Sequence, residues 1–257
     1  MKYPIGWTIF FVKALIGSSV LWAIGFWYMG KLPSHFASND QLQREPRQTP
    51  TIKKPFSTKI NGQSYQIDPV FDYEIWGLVV ADHDSNSWKD LVHVAGNDFL
   101  NTKDICVIWG ANILNPNLTK MSFMHGAWTC YVSTPSLDVW QAFRINQLSN
   151  NHLIPENPEI QKLISNSNIG DEIHISGQLV NYSINGGPPR KTSVIRTDIE
   201  NGACEIVYVT NFETMVKNNQ ISIRFANIFK FLSFFFLIAV LTSFLLLPLF
   251  LKKVEMD

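Results

Sequence analysis

The sequence predicts a mixed α+β, mainly β domain flanked by two transmembrane helices. Three observations carry this. Residues 231–251 contain no charged side chain, and Ile5–Met29 contains only Lys13. Between these stretches lie segments rich in β-branched and aromatic residues, punctuated by Gly, Asn and Pro. Only one or two of those segments show helical spacing.

A helix rises about 1.5 Å per residue, so either terminal stretch is long enough for a hydrocarbon core of roughly 30 Å. A single segment crosses only as a helix, because no other form satisfies its backbone groups in lipid. Pro248 lies near the far end of the second stretch, and Lys252 and Lys253 follow it among headgroups. In the first stretch Lys13 reaches back to the N-terminal interface, while Trp22, Trp27 and Tyr28 gather toward the other. A cleaved signal peptide is the alternative there. No small-x-small cleavage site follows, so the segment is expected to be retained.

Sidedness follows from the basic residues. Lys2, Lys13, Lys252 and Lys253 flank the outer ends; Lys31, Arg44, Arg47, Lys217, Arg224 and Lys230 flank the domain side. The two sets nearly balance. Long translocated domains weigh less in this rule, so the domain is expected on the extracytoplasmic face of a bacterial cell (inner) membrane. The 257 residues carry 21 basic and 21 acidic side chains. That neutrality argues against nucleic acid as a partner. The expected organisation is an N-terminal anchor over 1–30, a flexible tether over 31–57, a β-rich domain over 58–215, and a C-terminal helix and anchor over 216–257. The tether reading rests on Pro33, Pro46, Pro50 and Pro55 among polar residues.

Within the domain, residues 59–67 suit a hairpin turning at Asn61-Gly62. Residues 73–81 make a core strand, with Gly77 marking a bulge or bend. Residues 105–109 make a second strand and 121–133 a third. Helical spacing then runs from Leu137 to Leu148 with Ser136 as cap, and a short helix follows over 157–165 with Pro158 in its first turn. Residues 169–182 and 204–212 are the last strands, separated by a glycine-proline loop at 185–189.

This order, together with the phrase Gly170-Asp171-Glu172-Ile173-His174-Ile175-Ser176-Gly177, resembles the OB fold, a small barrel with a helix between its third and fourth strands. The resemblance implies an OB-like barrel over about half the domain; a twisted antiparallel sheet of other topology is the alternative. The segments 103–110, 128–131 and 201–205 resemble parts of uncharacterised bacterial membrane-anchored proteins. That likeness implies a family and no activity.

Candidate chemistry is sparse. Asp82, His83, Asp84 and His93 combine carboxylates with imidazoles, as a divalent ion or proton transfer requires. Turn chemistry explains the same residues without function. His125 and Cys130 form a thiol–imidazole pair only if the chain turns between them. Of the three cysteines, Cys130 and Cys204 are the preferred disulfide partners if the domain is exported; three buried thiols are the alternative. Trp88 is the tryptophan expected at the surface, and Arg190, Lys191 and Arg196 are candidates for a polar ligand surface on a loop. No cofactor is expected.

The resulting expectation is a membrane-anchored, non-enzymatic binding or scaffold module. Its partners would be the bilayer and another membrane or envelope protein. The alternatives are a metal-assisted enzyme at the Asp82 loop and an accessory subunit of a transport complex engaged through the spans.

Overall fold

The computed structural model describes residues 3–33, 40–87, 90–198 and 204–256. In chain order the elements are α1 (Tyr3–Met29), β1 (Arg47–Pro50), β2 (Phe56–Ile60), β3 (Gln63–His83), α2 (Leu91–Ala95), β4 (Lys103–Ile108), β5 (Ser122–His125), β6 (Cys130–Ser133), α3 (Leu137–Ala142), β7 (Leu148–Pro155), α4 (Pro158–Ser165), β8 (Glu172–Ile184), β9 (Cys204–Val216) and α5 (Gln220–Met256). The chain divides into two units. One joins residues 1–31 to 219–257, and the other holds residues 32–218.

The first unit is the pair α1 and α5. Stretches of both are long and apolar enough to cross a membrane, by length and composition. Only 11% of each span is buried, which is unlike the core helix of a soluble protein. The helices approach closely where side chains are small. A Cβ added to Gly25 would meet Phe225 at 2.9 Å and Ala226 at 3.0 Å, and the Ser18 and Ser233 hydroxyls hydrogen-bond at 3.1 Å. Small residues and hydroxyl bonds are what hold helices together in lipid.

The second unit is mainly sheet. Pairings run β3–β4–β7–β9–β8, and β8 also pairs with β3; all are antiparallel except β7–β9. β5 and β6 form a separate hairpin. The β2–β3 turn places Asn61 at φ 49° and Gly62 at φ 80°, the two positive values that a type I′ turn demands. Gly77 and Gly177 answer a different need. A Cβ on Gly77 would lie 2.2 Å from Val107, and one on Gly177 would lie 2.0 Å from the Tyr208 carbonyl oxygen. No side chain fits where neighbouring strands press so near.

Four sequence expectations change. Much of 31–57 belongs to the folded unit: Leu42 is fully buried and 47–50 pair with β3. Pro50 is tolerated because β1 is an edge strand. Residues 121–133 turn back on themselves instead of forming one strand. The helix from Leu137 stops at Ala142, and the third strand of the sheet is β7. Helix α5 begins at Gln220, since Val216 still belongs to β9.

The sheet's two faces differ. One carries a core that includes Val79, Ile105, Val107, Leu153, Ile173, Ile175, Val207 and Val209, closed by Ile160 and Ile164 of α4. The other carries two apolar clusters, one around Cys106 and Ile108, the other around Ile154 and Ile206.

Candidate functional site

A polar row lies on this second face. Cross-strand register aligns His83 with Asp104, Asp104 with His152, and His152 with Ile206. The adjoining row aligns Ala81, Cys106, Asn150 and Cys204 in the same way. Residues two apart on a strand share a face, so Cys204 sits diagonally beside His152.

Asp104 is fully buried, and its Oδ1 accepts a 2.6 Å hydrogen bond from His152 Nδ1. Asn101 Nδ2 donates to the same oxygen. Among the described residues Asp104 Oδ2 has no hydrogen-bond partner. A buried carboxylate this sparsely bonded needs a neighbouring positive charge. The His152 ring supplies it. Burial alone would favour the neutral ring, but the charge and hydrogen bond of Asp104, with a smaller contribution from nearby Cys204, outweigh it and push the imidazole up to about 10. Aspartate and imidazole are hydrogen-bonded, and the Cys204 thiol lies beside them on the same face, its Sγ directed at the Trp128 carbonyl at 3.9 Å. A ring kept protonated stabilises a thiolate beside it, and the thiolate is the nucleophilic form of cysteine.

His152 and Cys204 line a cavity of about 120 Å³ together with Asn101, Trp128, Tyr182 and Arg190. Cys204 is the one free thiol, half-buried. The Arg190 guanidinium lies 4.5 Å from the Trp128 ring centre and pairs with buried Asp98 at 2.8 Å. Tyr182 also donates to Asp98, at 2.6 Å; burial, reinforced by that carboxylate, raises the phenol well above its ordinary value. Trp128 comes from the β5–β6 turn, and its ring centre is 4.0 Å from that of His93.

The structure redistributes the residues singled out from sequence. His83 and His93 do come together, but through Asp90. Its Oδ2 contacts His83 Nε2 at 2.8 Å and His93 Nδ1 at 2.6 Å, while its Oδ1 caps α2. The three side chains stand close enough together that they could hold a metal ion. Asp82 points to the opposite face and pairs with Lys103 at 2.5 Å, and Asp84 closes a turn on the Asn86 amide. Of the four residues singled out, His83 and His93 converge, on Asp90, while Asp82 and Asp84 lie apart from them. Arg190 and Lys191 line the cavity, but Arg196 lies elsewhere, in a 2.5 Å pair with buried Glu205 on the opposite face. Trp88 lies outside the described residues.

The disulfide expectation is also corrected. Cys106 is bonded to Cys130, with Cα atoms 6.0 Å apart, and Cys204 is not. The hairpin explains why. Its turn at 126–129 brings Cys130 opposite His125 and over β4, where Cys106 faces it. Cys204 is separated from Cys106 by the whole width of β7. The pairing of His125 with Cys130 that required a turn is thus present, beside a disulfide and not a free thiol.

His152 and Asp104 are the candidate residues that the sequence reading did not single out. The available signal was Asn150-Asn151-His152 between apolar Leu148 and Leu153-Ile154. Polar residues inside an otherwise apolar strand are either hydrogen-bonded core groups or a site.

Compared with known proteins, the chain matches no family model, no curated protein and no solved structure.

Proposed function

We propose that this chain is a bilayer-anchored thiol enzyme that transfers or hydrolyses acyl groups through Cys204. The carrying observation is the hydrogen-bonded Asp104–His152 pair next to the free thiol of Cys204, with His152 and Cys204 lining one cavity. In the proposed step the Cys204 thiolate attacks a carbonyl carbon and forms an S–C bond. The leaving group departs with its bonding electrons and takes a proton from His152. Water, or another acceptor, then attacks the thioester and gives its proton back to His152, which regenerates the thiolate. Asp104 keeps the imidazole oriented and offsets its charge throughout.

Two further parts of the reading have support. An OB-like barrel is favoured by the pairing order β3–β4–β7–β9–β8–β3, by the single parallel pairing β7–β9, and by α4 between β7 and β8. An extracytoplasmic domain held by two spans is favoured by the Cys106–Cys130 disulfide, since such bonds persist in oxidising compartments.

The test uses full-length protein in detergent micelles with p-nitrophenyl acetate as acyl donor, and mass spectrometry to locate the adduct. Acetyl should appear on Cys204, vanish in Cys204→Ser and form far more slowly in His152→Ala. Equal acetylation of wild type and His152→Ala would overturn the enzymatic reading.

A second reading, the non-enzymatic binding module expected from sequence, is favoured by the Arg190–Trp128 stack at the same cavity. It requires that Cys204→Ser leave ligand capture intact. Under either reading the spans position the domain at a membrane, where another envelope protein or a lipid is the natural partner.

A further inference from the structure

Beside the thiol stands Asn150, a buried side chain that the three-residue scheme leaves without a task. Its Nδ2 donates to the Trp128 carbonyl at 2.8 Å and approaches Cys204 Sγ at 3.2 Å. Its Oδ1 faces His125 Nε2 at 2.7 Å. The Trp128 carbonyl fixes the amide orientation. Trp128 O is a carbonyl and accepts only, so the nitrogen must point toward it; a ring nitrogen bearing hydrogen then satisfies the oxygen. His125 is held in turn by the Gly126 carbonyl, 2.5 Å from Nδ1, and by the hairpin that the Cys106–Cys130 bond ties to β4.

An amide has two N–H bonds. One is occupied by Trp128, and the other is aimed at the sulfur. When a thiolate attacks a carbonyl, the π electrons move to oxygen and the new oxyanion sits next to the sulfur. A donor already in contact with Sγ is then within reach of that oxygen, and a preorganised donor about 3 Å away is what stabilises such a charge.

We propose that Asn150 is the oxyanion donor of the Cys204 centre, and that His125 is the positioning residue that fixes its amide. This rests on the thiol-enzyme reading and extends it. The disulfide acquires a role as well, because it holds the hairpin from which both His125 and Trp128 reach Asn150.

The experiment compares two reagents on the same full-length protein in micelles. Iodoacetamide alkylates Cys204 by displacement at a CH₂ group and builds no oxyanion. p-Nitrophenyl acetate acylates the same sulfur through one. The other two cysteines are bonded to each other, so both rates report on Cys204. Asn150→Ala should slow acylation about 10²- to 10³-fold while alkylation changes by no more than a few-fold. Asn150→Leu keeps the volume with neither donor nor charge and should show the same split. His125→Phe should slow acylation about 10-fold, again without a matching loss of alkylation. If both rates fall together, Asn150 serves only to hold the thiol, and the proposal is overturned. If neither falls, Asn150 has no role and the proposal is equally overturned. Failure of the underlying reading looks different: wild-type Cys204 would then react with both reagents no faster than free cysteine. Circular dichroism of each variant identifies any that does not fold, and Asn150→Leu, close to Asn in volume, carries the test if Asn150→Ala fails.

Discussion

Replacing Asp104 by Asn removes the charge that keeps the His152 ring protonated. In the wild-type chain that ring holds its proton up to about pH 10. In the variant, burial is the dominant remaining influence and favours the neutral ring, so it is uncharged at pH 7. An isolated thiol with the ordinary pKa of about 8.5 loses roughly a factor of ten in reactivity per pH unit below that value, or about 300-fold by pH 6. A thiolate stabilised by an imidazolium avoids this loss but is intrinsically less nucleophilic. With a Brønsted slope of about 0.45, a shift of that size lowers reactivity about 10-fold. The net expectation is that wild-type Cys204 reacts roughly 10-fold faster than Asp104→Asn at pH 6, that the curves cross at about pH 7.5, and that the variant is the faster at pH 9. The assay is iodoacetamide alkylation of full-length protein, quenched over a pH series and quantified by mass spectrometry. The sign extends to stability. A raised imidazole pKa contributes stability that is fully present below about 6.5 and disappears as pH rises through about 10. Wild-type thermal stability should therefore decline across that window, and Asp104→Asn should not show the decline. Parallel pH–rate curves for the two proteins would refute the coupling of Asp104, His152 and Cys204.

Three more outcomes are expected. Gly177→Ala places a Cβ 2.0 Å from the Tyr208 carbonyl oxygen, so the β8–β9 pairing must break or shift; folded yield and melting temperature should both collapse, as judged by size exclusion and circular dichroism. Cys106→Ser opens a disulfide that spans 24 residues and should lower stability by about 3 kcal/mol in denaturant titration, with faster proteolysis in the β5–β6 hairpin. Asp90→Ala removes the α2 cap and the shared partner of His83 and His93, at a cost of about 1–3 kcal/mol. Burial raises the Asp90 carboxyl, yet its bonds to the His93 amide and to both imidazoles bring it below the ordinary value. Its contribution is thus present above the usual carboxylate range and lost only in stronger acid, so the variant's acid-unfolding curve should lack that component.

The elements read correctly from sequence were those with strong local signals. Asn61-Gly62 specifies its turn through backbone φ alone, and Asn157-Pro158 starts α4 through an Asn cap that bonds the Glu159 and Ile160 amides. The elements misread were those whose character comes from distant partners. Residues 47–50 look like linker until β3 supplies their hydrogen bonds. Residues 148–155 look polar in sequence, but their Ser, Asn and His find partners in distant segments: Ser149 in Glu205 of β9, Asn150 in Trp128 of the β5–β6 turn, and His152 in Asp104 of β4. Alternation of apolar and polar residues marks a strand with one wet face. It fails for a central strand with both faces covered.

The candidate site divides in the same way. Asp82, His83, Asp84 and His93 are close along the chain, and that closeness made them prominent; strand alternation then sent Asp82 to the other face. Asp104, His152 and Cys204 are far apart along the chain and meet only because β4, β7 and β9 pair in a particular register.

By itself the sequence determined the two apolar terminal helices, because length and hydropathy are properties of a contiguous run. It also determined that the part between them is mainly sheet. Only the tertiary structure decided which cysteines pair, which face each polar residue occupies, and that one thiol and one imidazole share a cavity wall with a carboxylate behind the ring. The physical reason is register. A one-residue slip in β7 would turn His152 to the opposite face and break its bond to Asp104, and nothing local to residues 148–155 specifies where that strand docks.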